Sequence, residues 1–193
     1  MSQLLRIYNY MKKDIITKGY GKDLEFYMNI PSLEEMTKEY FFSEYCWVVI
    51  HSGLGNKATK NIYNNFWNNG NYDFDAINHP LKNIAIRKTY SRLDKYFNQY
   101  KTSEDKLTFL DSLPHIGPKT KYHLAKNLGF NYAKPDRHLE RITLFFGYNN
   151  VQKFCDVISR LSNDKIKIVD TVIWRFATLH TNYLEILKEI NNN

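Results

Sequence analysis

Cysteine is scarce in this chain of 193 residues, which contains only Cys46 and Cys155. Both stand among apolar neighbours, and the sequence has no Cys-x-x-Cys pair. This usage argues against a disulfide framework, a structural zinc site and an iron–sulfur cluster. We therefore predict two buried thiols in a reducing compartment.

Long apolar runs are also missing. No stretch approaches the roughly 20 apolar residues of a membrane-spanning helix. The first residues, Met1 to Arg6, lack the apolar region and the cleavage site of a signal peptide. We expect a monomeric cytoplasmic protein without a membrane partner.

The alternation of apolar and polar residues that is typical of half-buried strands is nearly absent. Only Asp23 to Ile30 leaves room for a strand pair, and elsewhere apolar residues recur at helical spacing, which predicts an all-α fold. Ser32 and Glu35 form a capping-box pattern that opens a helix running to about Ile50, buried on all sides. Further helices are predicted over 57–67, 80–100, 135–147, 151–161 and 166–190, with a helix–turn–helix from 104.

Positive charge exceeds negative charge, with 27 Lys and Arg against 20 Asp and Glu and a formal net charge of +7. A small basic protein favours a polyanionic partner, with nucleic acid as the first choice and a membrane surface as the second.

The segment from Leu110 to Thr120 ends one predicted helix and begins another. Pro114 cannot continue a helix, Gly117 permits the turn, and Pro118 suits the first position of the next helix. The free N–H groups of such a helix start attract phosphate. The new helix adds basic and imidazole side chains that favour a DNA backbone, namely Lys119, Lys121, His123 and Lys126.

Asp136 falls at the start of the following helix, where the helix dipole stabilises a carboxylate. It follows Lys119 by 136 − 119 = 17 residues, which corresponds to one helix, a turn and the next helix start. We expect both side chains to face one cleft. A lysine amine can attack a sugar C1′ atom to give a Schiff base, and a carboxylate can stabilise the positive charge that develops there. The structural alternatives are a surface lysine and a simple helix cap.

Two motifs resemble the helix-hairpin-helix DNA glycosylase superfamily, the group of endonuclease III and the 8-oxoguanine glycosylases. The first is Leu113-Pro114-x-Ile116-Gly117-x-Lys119-Thr120, and the second is Asp136-x-His138-x-x-Arg141. The resemblance implies that Lys119 is the Schiff-base lysine of the bifunctional branch and that Asp136 is the catalytic aspartate. It implies contacts to double-stranded DNA from His115, Gly117, Thr120, Lys121, Arg137, His138 and Arg141.

The resemblance also implies two helical lobes that flank a cleft within one domain spanning residues 1–193. We expect a base-pocket lobe over 30–100 and a lobe over 101–147 that carries the hairpin and the aspartate. The terminal helices complete the other side. No cofactor is implied, although a monovalent cation or a phosphate fits the hairpin.

Four residues are candidates for the base pocket: Trp47, His51, Ser52 and Trp174. Packing in the core or at a helix end is the alternative for each. Asp170 either pairs with Arg175 or another cation or lines the cleft, and the loop 68–72 is a candidate wedge for the gap that a flipped base leaves. His79 and His180 lack metal-ligand spacing.

The sequence departs from the family in ways that leave the excised base open. His115 replaces the first glycine of the usual hairpin, and the cysteines that bind the iron–sulfur cluster of endonuclease III are absent. His51-Ser52-Gly53 replaces a glutamine that is common near the end of the family's pocket helix. Parts of the sequence pattern look more like divergent family members that are associated with phage genomes and hypermodified bases. This likeness suggests a prokaryotic or phage origin and an antiviral role. We predict a DNA glycosylase with associated β-lyase activity. A monofunctional glycosylase and a non-enzymatic DNA-binding module stay open as alternatives.

Overall fold

The computed structural model of the protein describes residues 2–68 and 71–192, with Asn68 described for its backbone alone. Helices account for most of these residues, which confirms the all-α prediction. Within the described ranges, no helix is both long and apolar enough to cross a membrane. The α-helices are α1 (Gln3–Thr17), α2 (Gly21–Met28), α3 (Lys38–His51), α4 (Asn56–Phe66), α5 (Pro80–Tyr90), α6 (Leu93–Thr102), α7 (Lys106–Asp111), α8 (Thr120–Asn127), α9 (Arg137–Phe145), α10 (Val151–Ser162), α11 (Ile166–Leu179) and α12 (Tyr183–Asn192).

The chain folds into two compact units. The central unit comprises Pro31–Leu128, and the terminal unit comprises Met1–Ile30 together with Gly129–Asn193. These units differ from the predicted lobes, because residues 101–128 group with the rest of the central unit. Lys119 therefore belongs to the central unit, whereas Asp136 belongs to the terminal unit.

The core of the terminal unit forms where α11 packs against α1, α2, α9 and α10. Val169, Val172 and Ile173 on α11 are fully buried in it together with Ile7 and Phe154. Burial of each such side chain stabilises the fold by about 1.5–3 kcal/mol. Cys155 belongs to this core and Cys46 is buried in the central unit, so the prediction of two buried thiols is confirmed.

The central unit is built around α3, which packs against α4, α5, α6 and α8. Most of the helix is buried, including Phe41, Phe42, Tyr45, Cys46, Val48, Val49 and Ile50. The prediction of burial on all sides is nevertheless wrong, because Ser43, Glu44, Trp47 and His51 are only half-buried. At helical spacing these four residues share one side of α3, which makes that side the polar one.

The start of α3 corrects the predicted capping box. Ser32 and Glu35 do exchange the expected hydrogen bonds, since Glu35 accepts from the Ser32 N–H at 3.1 Å and the Ser32 hydroxyl accepts from the Glu35 N–H at 3.4 Å. They close an isolated turn rather than the helix. Thr37 caps α3 instead, and its hydroxyl accepts from the Tyr40 N–H at 3.1 Å.

The segment Asp23 to Ile30, which left room for a strand pair, is mostly occupied by α2. The strands of the described residues are β1 (Trp67–Asn68) and β2 (Asn71–Tyr72), which pair antiparallel in the loop predicted as a wedge. Trp67 and Tyr72 are directly opposite, with ring centroids 4.8 Å apart, so an aromatic cross-strand pair stabilises the turn. Residues 69 and 70, at the centre of the candidate wedge, lie outside the described residues.

Two long predicted helices are each divided in two. The helix expected over 80–100 breaks at Ser91 and Arg92, where the Arg92 N–H bonds to the Thr89 carbonyl three residues back. The helix expected over 166–190 breaks after Leu179, and a new start forms at Asn182, whose carbonyl accepts from two N–H groups of α12. Apolar periodicity continued through both breaks, which is why the sequence did not reveal them.

Candidate functional site

The loop between α7 and α8, residues 112–119, is held by apolar and polar contacts within the central unit. Leu113 and Ile116 are buried. The Tyr45 hydroxyl of α3 donates to the Pro114 carbonyl at 2.7 Å. The loop is therefore anchored to the central helix at its middle.

His115 carries the unusual backbone conformation of this loop. Its φ is +63°, in the left-handed region, which costs an L-residue about 1–2 kcal/mol. The expectation that Gly117 permits the turn is wrong, because its φ is not positive and a Cβ there would meet nothing within 4 Å. The Gly117 N–H instead donates to the Thr120 hydroxyl at 2.8 Å. The residue of this loop that adopts the positive φ favoured by glycine is therefore His115, not Gly117.

Lys119 stands at the N-cap of α8 and is exposed. The helix begins at Thr120, so Pro118 precedes it rather than filling its first position. The Lys119 side chain makes no capping hydrogen bond to α8. The backbone angles of Lys119 are already helical, with φ −94° and ψ −39°. Lys119, His123 and Asn127 therefore follow one another at four-residue spacing along one side of α8.

The other basic residues of α8 are less available than expected. His123 and Lys126 are 8% and 5% exposed, so the prediction that both present themselves to a DNA backbone is wrong. Lys121 forms an ion pair with Asp111 at 3.0 Å, which raises the pKa of the lysine and ties α7 to α8. Lys119 remains as the exposed lysine at the start of α8.

Asp136 caps α9 in the terminal unit. Its Oδ1 atom accepts hydrogen bonds from the N–H groups of His138 at 2.9 Å and Leu139 at 3.1 Å. The helix-cap interpretation of this residue is thus confirmed. Its Oδ2 atom makes no hydrogen bond to any other described residue. One oxygen holds the helix start, and the half-buried carboxylate keeps a second oxygen for another partner.

The three other candidates on α9 divide between solvent and core. Arg137 and Arg141 are exposed and one helical turn apart. His138 is half-buried, and its ring lies 5.6 Å from that of Tyr183. Burial is the main cause that lowers the pKa of His138, which favours the neutral imidazole. The two arginines are therefore the candidates on α9 whose side chains are open to solvent.

Three of the four base-pocket candidates meet at the end of α3. The Trp47 and His51 rings stack with centroids 6.2 Å apart, and His51 lies 5.4 Å from His123 of α8. The His51 Nδ1 atom bonds to the Thr59 hydroxyl at 3.0 Å. Ser52 caps the helix, and its carbonyl accepts from the Lys82 ammonium at 2.5 Å.

Trp174 and Asp170 lie in the terminal unit, on α11. The guanidinium of Arg175 lies 4.6 Å from the Trp174 ring centroid and pairs with Asp23 at 2.6 Å rather than with Asp170. Asp170 is buried and accepts from the Lys134 N–H at 3.0 Å. Its position therefore supports a structural role at the segment that leads into Asp136.

The two remaining candidate histidines, His79 and His180, lie in different units. His180 pairs with Asp14 at 2.8 Å within the terminal unit. The ring of His79 lies 6.3 Å from that of His115 in the central unit. Across residues 2–68 and 71–192, no three His, Cys, Asp or Glu side chains are grouped as metal ligands.

Glu44 is the one notable residue that sequence reasoning missed. It is half-buried on the polar side of α3 and accepts from the Asn127 side chain at 2.8 Å. Burial raises the pKa of its carboxyl to about 7. A signal was present, because Glu44 precedes Trp47 by three residues and His51 by seven, which places all three on one helical face.

Comparisons of the chain with protein families, with curated proteins and with solved structures find no match in any of the three.

Proposed function

We propose that this protein is a DNA glycosylase with associated β-lyase activity, built on a helix-hairpin-helix motif formed by α7, the 112–119 loop and α8. The observation that carries the proposal is the left-handed backbone at His115, followed four residues later by exposed Lys119 at the start of α8. A loop of this shape presents backbone N–H groups and an amine at one helix start, which suits a phosphate and its neighbouring sugar.

In the proposed reaction, the target nucleotide is extruded from the duplex so that its sugar is accessible. The C1′–N bond breaks with its electron pair on the base, and the Lys119 amine forms a bond to C1′. Loss of a proton from nitrogen and opening of the sugar ring give a Schiff base. β-Elimination then removes a proton from C2′, expels the 3′ phosphate and nicks the strand. Asp136 stabilises the positive charge at C1′ through the oxygen that does not cap α9.

Binding to duplex DNA is proposed to rest on phosphate contacts. The net charge of +7 supports a polyanionic partner. Exposed Arg137 and Arg141 supply charge on α9, and His115, Gly117 and Thr120 line the loop on the α8 side. Because each phosphate contact releases counterions, affinity should fall steeply with salt.

Borohydride trapping on a panel of duplexes tests the proposal. The panel contains a preformed abasic site, 8-oxoguanine, thymine glycol and glucosylated hydroxymethylcytosine. The wild-type protein should form a covalent adduct with the abasic duplex and with each duplex whose base it excises. Abasic sites without an adduct would replace the proposal with a monofunctional glycosylase. Salt-dependent binding without either product would replace it with a DNA-binding module.

A further inference from the structure

The polar side of α3 and the neighbouring side of α8 form a cluster of side chains that takes no part in the proposed Schiff-base steps. This acid–histidine cluster consists of Glu44, Trp47 and His51 on α3 with His123 and Asn127 on α8. Polar contacts between the two helices include Glu44 with Asn127 at 2.8 Å, the Tyr40 hydroxyl with the Asn127 carbonyl at 3.2 Å, and His51 with His123 at a ring distance of 5.4 Å. All five residues belong to the central unit.

The order of these residues along α8 relates the cluster to Lys119. Lys119, His123 and Asn127 share one side of the helix, and eight residues of helix span about 12 Å. Because His123 meets His51 and Asn127 meets Glu44, the cluster extends from Lys119 past the histidine pair to the acid. Because His123 and Asn127 are buried, a base whose C1′ atom lies at Lys119 would meet the cluster at its half-buried members on α3: Glu44, Trp47 and His51.

The environment of Glu44 favours the protonated carboxylic acid. Burial is the cause that raises its pKa from the ordinary value of 4.5 to about 7, against the opposing effect of the hydrogen bond from Asn127. Tyr63 on α4 interacts electrostatically with Glu44. Other ionisable groups on the elements packed against α3 include Lys82 on α5, Asp94 on α6 with its partner Lys38, and His123 and Lys126 on α8, and His51 lies on the same helix as Glu44.

We infer that Glu44 is the general acid that protonates the departing base. This inference rests on the proposed glycosylase function. As the C1′–N bond breaks with its electron pair on the base, the carboxyl of Glu44 gives its proton to an acceptor atom of the base and becomes a carboxylate. Asn127 donates a hydrogen bond to that carboxylate, and the stacked Trp47 and His51 rings lie on the same side of α3. The substrate class is a purine or pyrimidine that is a poor leaving group unless it is protonated.

Glu44→Gln is the decisive variant, because an amide keeps the size of the side chain and its acceptor for Asn127 but has no proton to give. Excision should slow by about 10²–10⁴-fold, the usual contribution of general acid catalysis. The yield of the covalent adduct that Glu44→Gln forms with the preformed abasic duplex should fall far less, because no base has to leave that substrate. Glu39→Gln, at the exposed start of the same helix, is the matched control and should excise at the wild-type rate.

The wild-type excision rate should fall as pH rises above about 7, and Glu44→Gln should lose that dependence.

The outcomes separate the inference from the function on which it rests. If the wild type is not trapped on abasic DNA, the proposed lyase function fails. If the wild type is trapped but excises no base of the panel, or if Glu44→Gln excises at the wild-type rate, the acid role of Glu44 is overturned.

Stability against pH gives a second readout that needs no substrate. Folding raises the pKa of Glu44, so between pH 4.5 and about 7 the folded chain holds a proton that the unfolded chain has lost. The contribution of Glu44 to stability is therefore present below that window and decreases as pH rises through it. Glu44→Gln should melt higher than the wild type at pH 8 and not at pH 4. Equal melting temperatures of the two proteins at pH 8 would show that the acid is not protonated at neutral pH and would overturn the inference.

Discussion

The starts of α8 and α9 are built in opposite ways. At α9, Asp136 accepts hydrogen bonds from two N–H groups of its own helix, so the helix start is satisfied by its own carboxylate. At α8, the N-cap residue is the cation Lys119, whose side chain makes no capping hydrogen bond. A helix dipole favours an anion at its start, so the first arrangement stabilises the helix and the second does not.

The two helix starts give the two proposed site residues unequal structural roles. Asp136 has a structural reason to be where it is, so its position alone says little about chemistry. Lys119 contributes no such cap, and a lysine at a helix start opposes the dipole by about 0.3–1 kcal/mol. In the proposed complex, a DNA phosphate adds an anion at this helix start. Five substitutions at four positions test this contrast between the two helix starts.

The largest effect is expected for Lys119→Arg. Arginine keeps the positive charge and the phosphate contact but has no primary amine that can form a Schiff base. The borohydride adduct should fall to the level of the protein-free control, while the salt dependence of DNA binding should stay close to that of the wild type. Lys60→Ala, an exposed lysine of α4, is the control and should be trapped normally. An undiminished adduct with Lys119→Arg would show that another amine is the nucleophile.

A smaller effect is expected for Asp136→Asn. Asparagine caps a helix about as well as aspartate, so the melting temperature should change little. The loss of charge should slow excision by about 10²–10³-fold, as for other groups that stabilise a charged transition state. Normal excision by the folded variant would leave Asp136 with the capping role alone.

Asp136→Ala completes this test, because it removes the charge and the cap together. The variant should lose about 1 kcal/mol of stability, the usual value for a helix cap. In a chain of this size that loss lowers the melting temperature by about 2–4 °C. Calorimetry of the two variants thus separates the structural role of Asp136 from its proposed chemical role.

The smallest effect is expected in the loop before α8. His115→Gly removes the strain of about 1–2 kcal/mol at φ +63° but adds entropy to the unfolded chain, so the net gain is up to about 1 kcal/mol. Gly117→Ala, where φ is not positive and space is open, should be neutral or slightly stabilising. Chemical denaturation measures both. A strong loss from Gly117→Ala would show that the turn depends on Gly117 after all.

The sequence predicted the helices and the loop well because apolar periodicity and proline are local signals. Pro80 at the start of α5 and Asp136 at the start of α9 both occur where expected. The capping box at Ser32 and Glu35 misled because its reciprocal hydrogen bonds close a turn as readily as a helix. The backbone of His115 was not predicted, because positive φ is uncommon for any residue other than glycine, even for the enriched types asparagine, aspartate and histidine.

The candidate site was less accessible to sequence reasoning than the fold. The sequence indicated Lys119 and Asp136 by their side-chain chemistry and by a spacing of one helix and a turn. His123, in contrast, was predicted on the surface and is buried. The reason is that α8 packs against α3, a contact between segments about 75 residues apart whose depth no local pattern records. Glu44 was missed for the same reason, since its raised pKa depends on that packing and its spacing from His51 gains meaning only once the histidine contacts α8.

The most direct measurement of the central claim is peptide mapping of the reduced adduct on an abasic duplex. After borohydride treatment and proteolysis, mass spectrometry should locate the deoxyribose remnant on the peptide that contains Lys119, and on no other lysine. An adduct on a different residue, or a protein that binds abasic DNA and forms no adduct, would contradict the account.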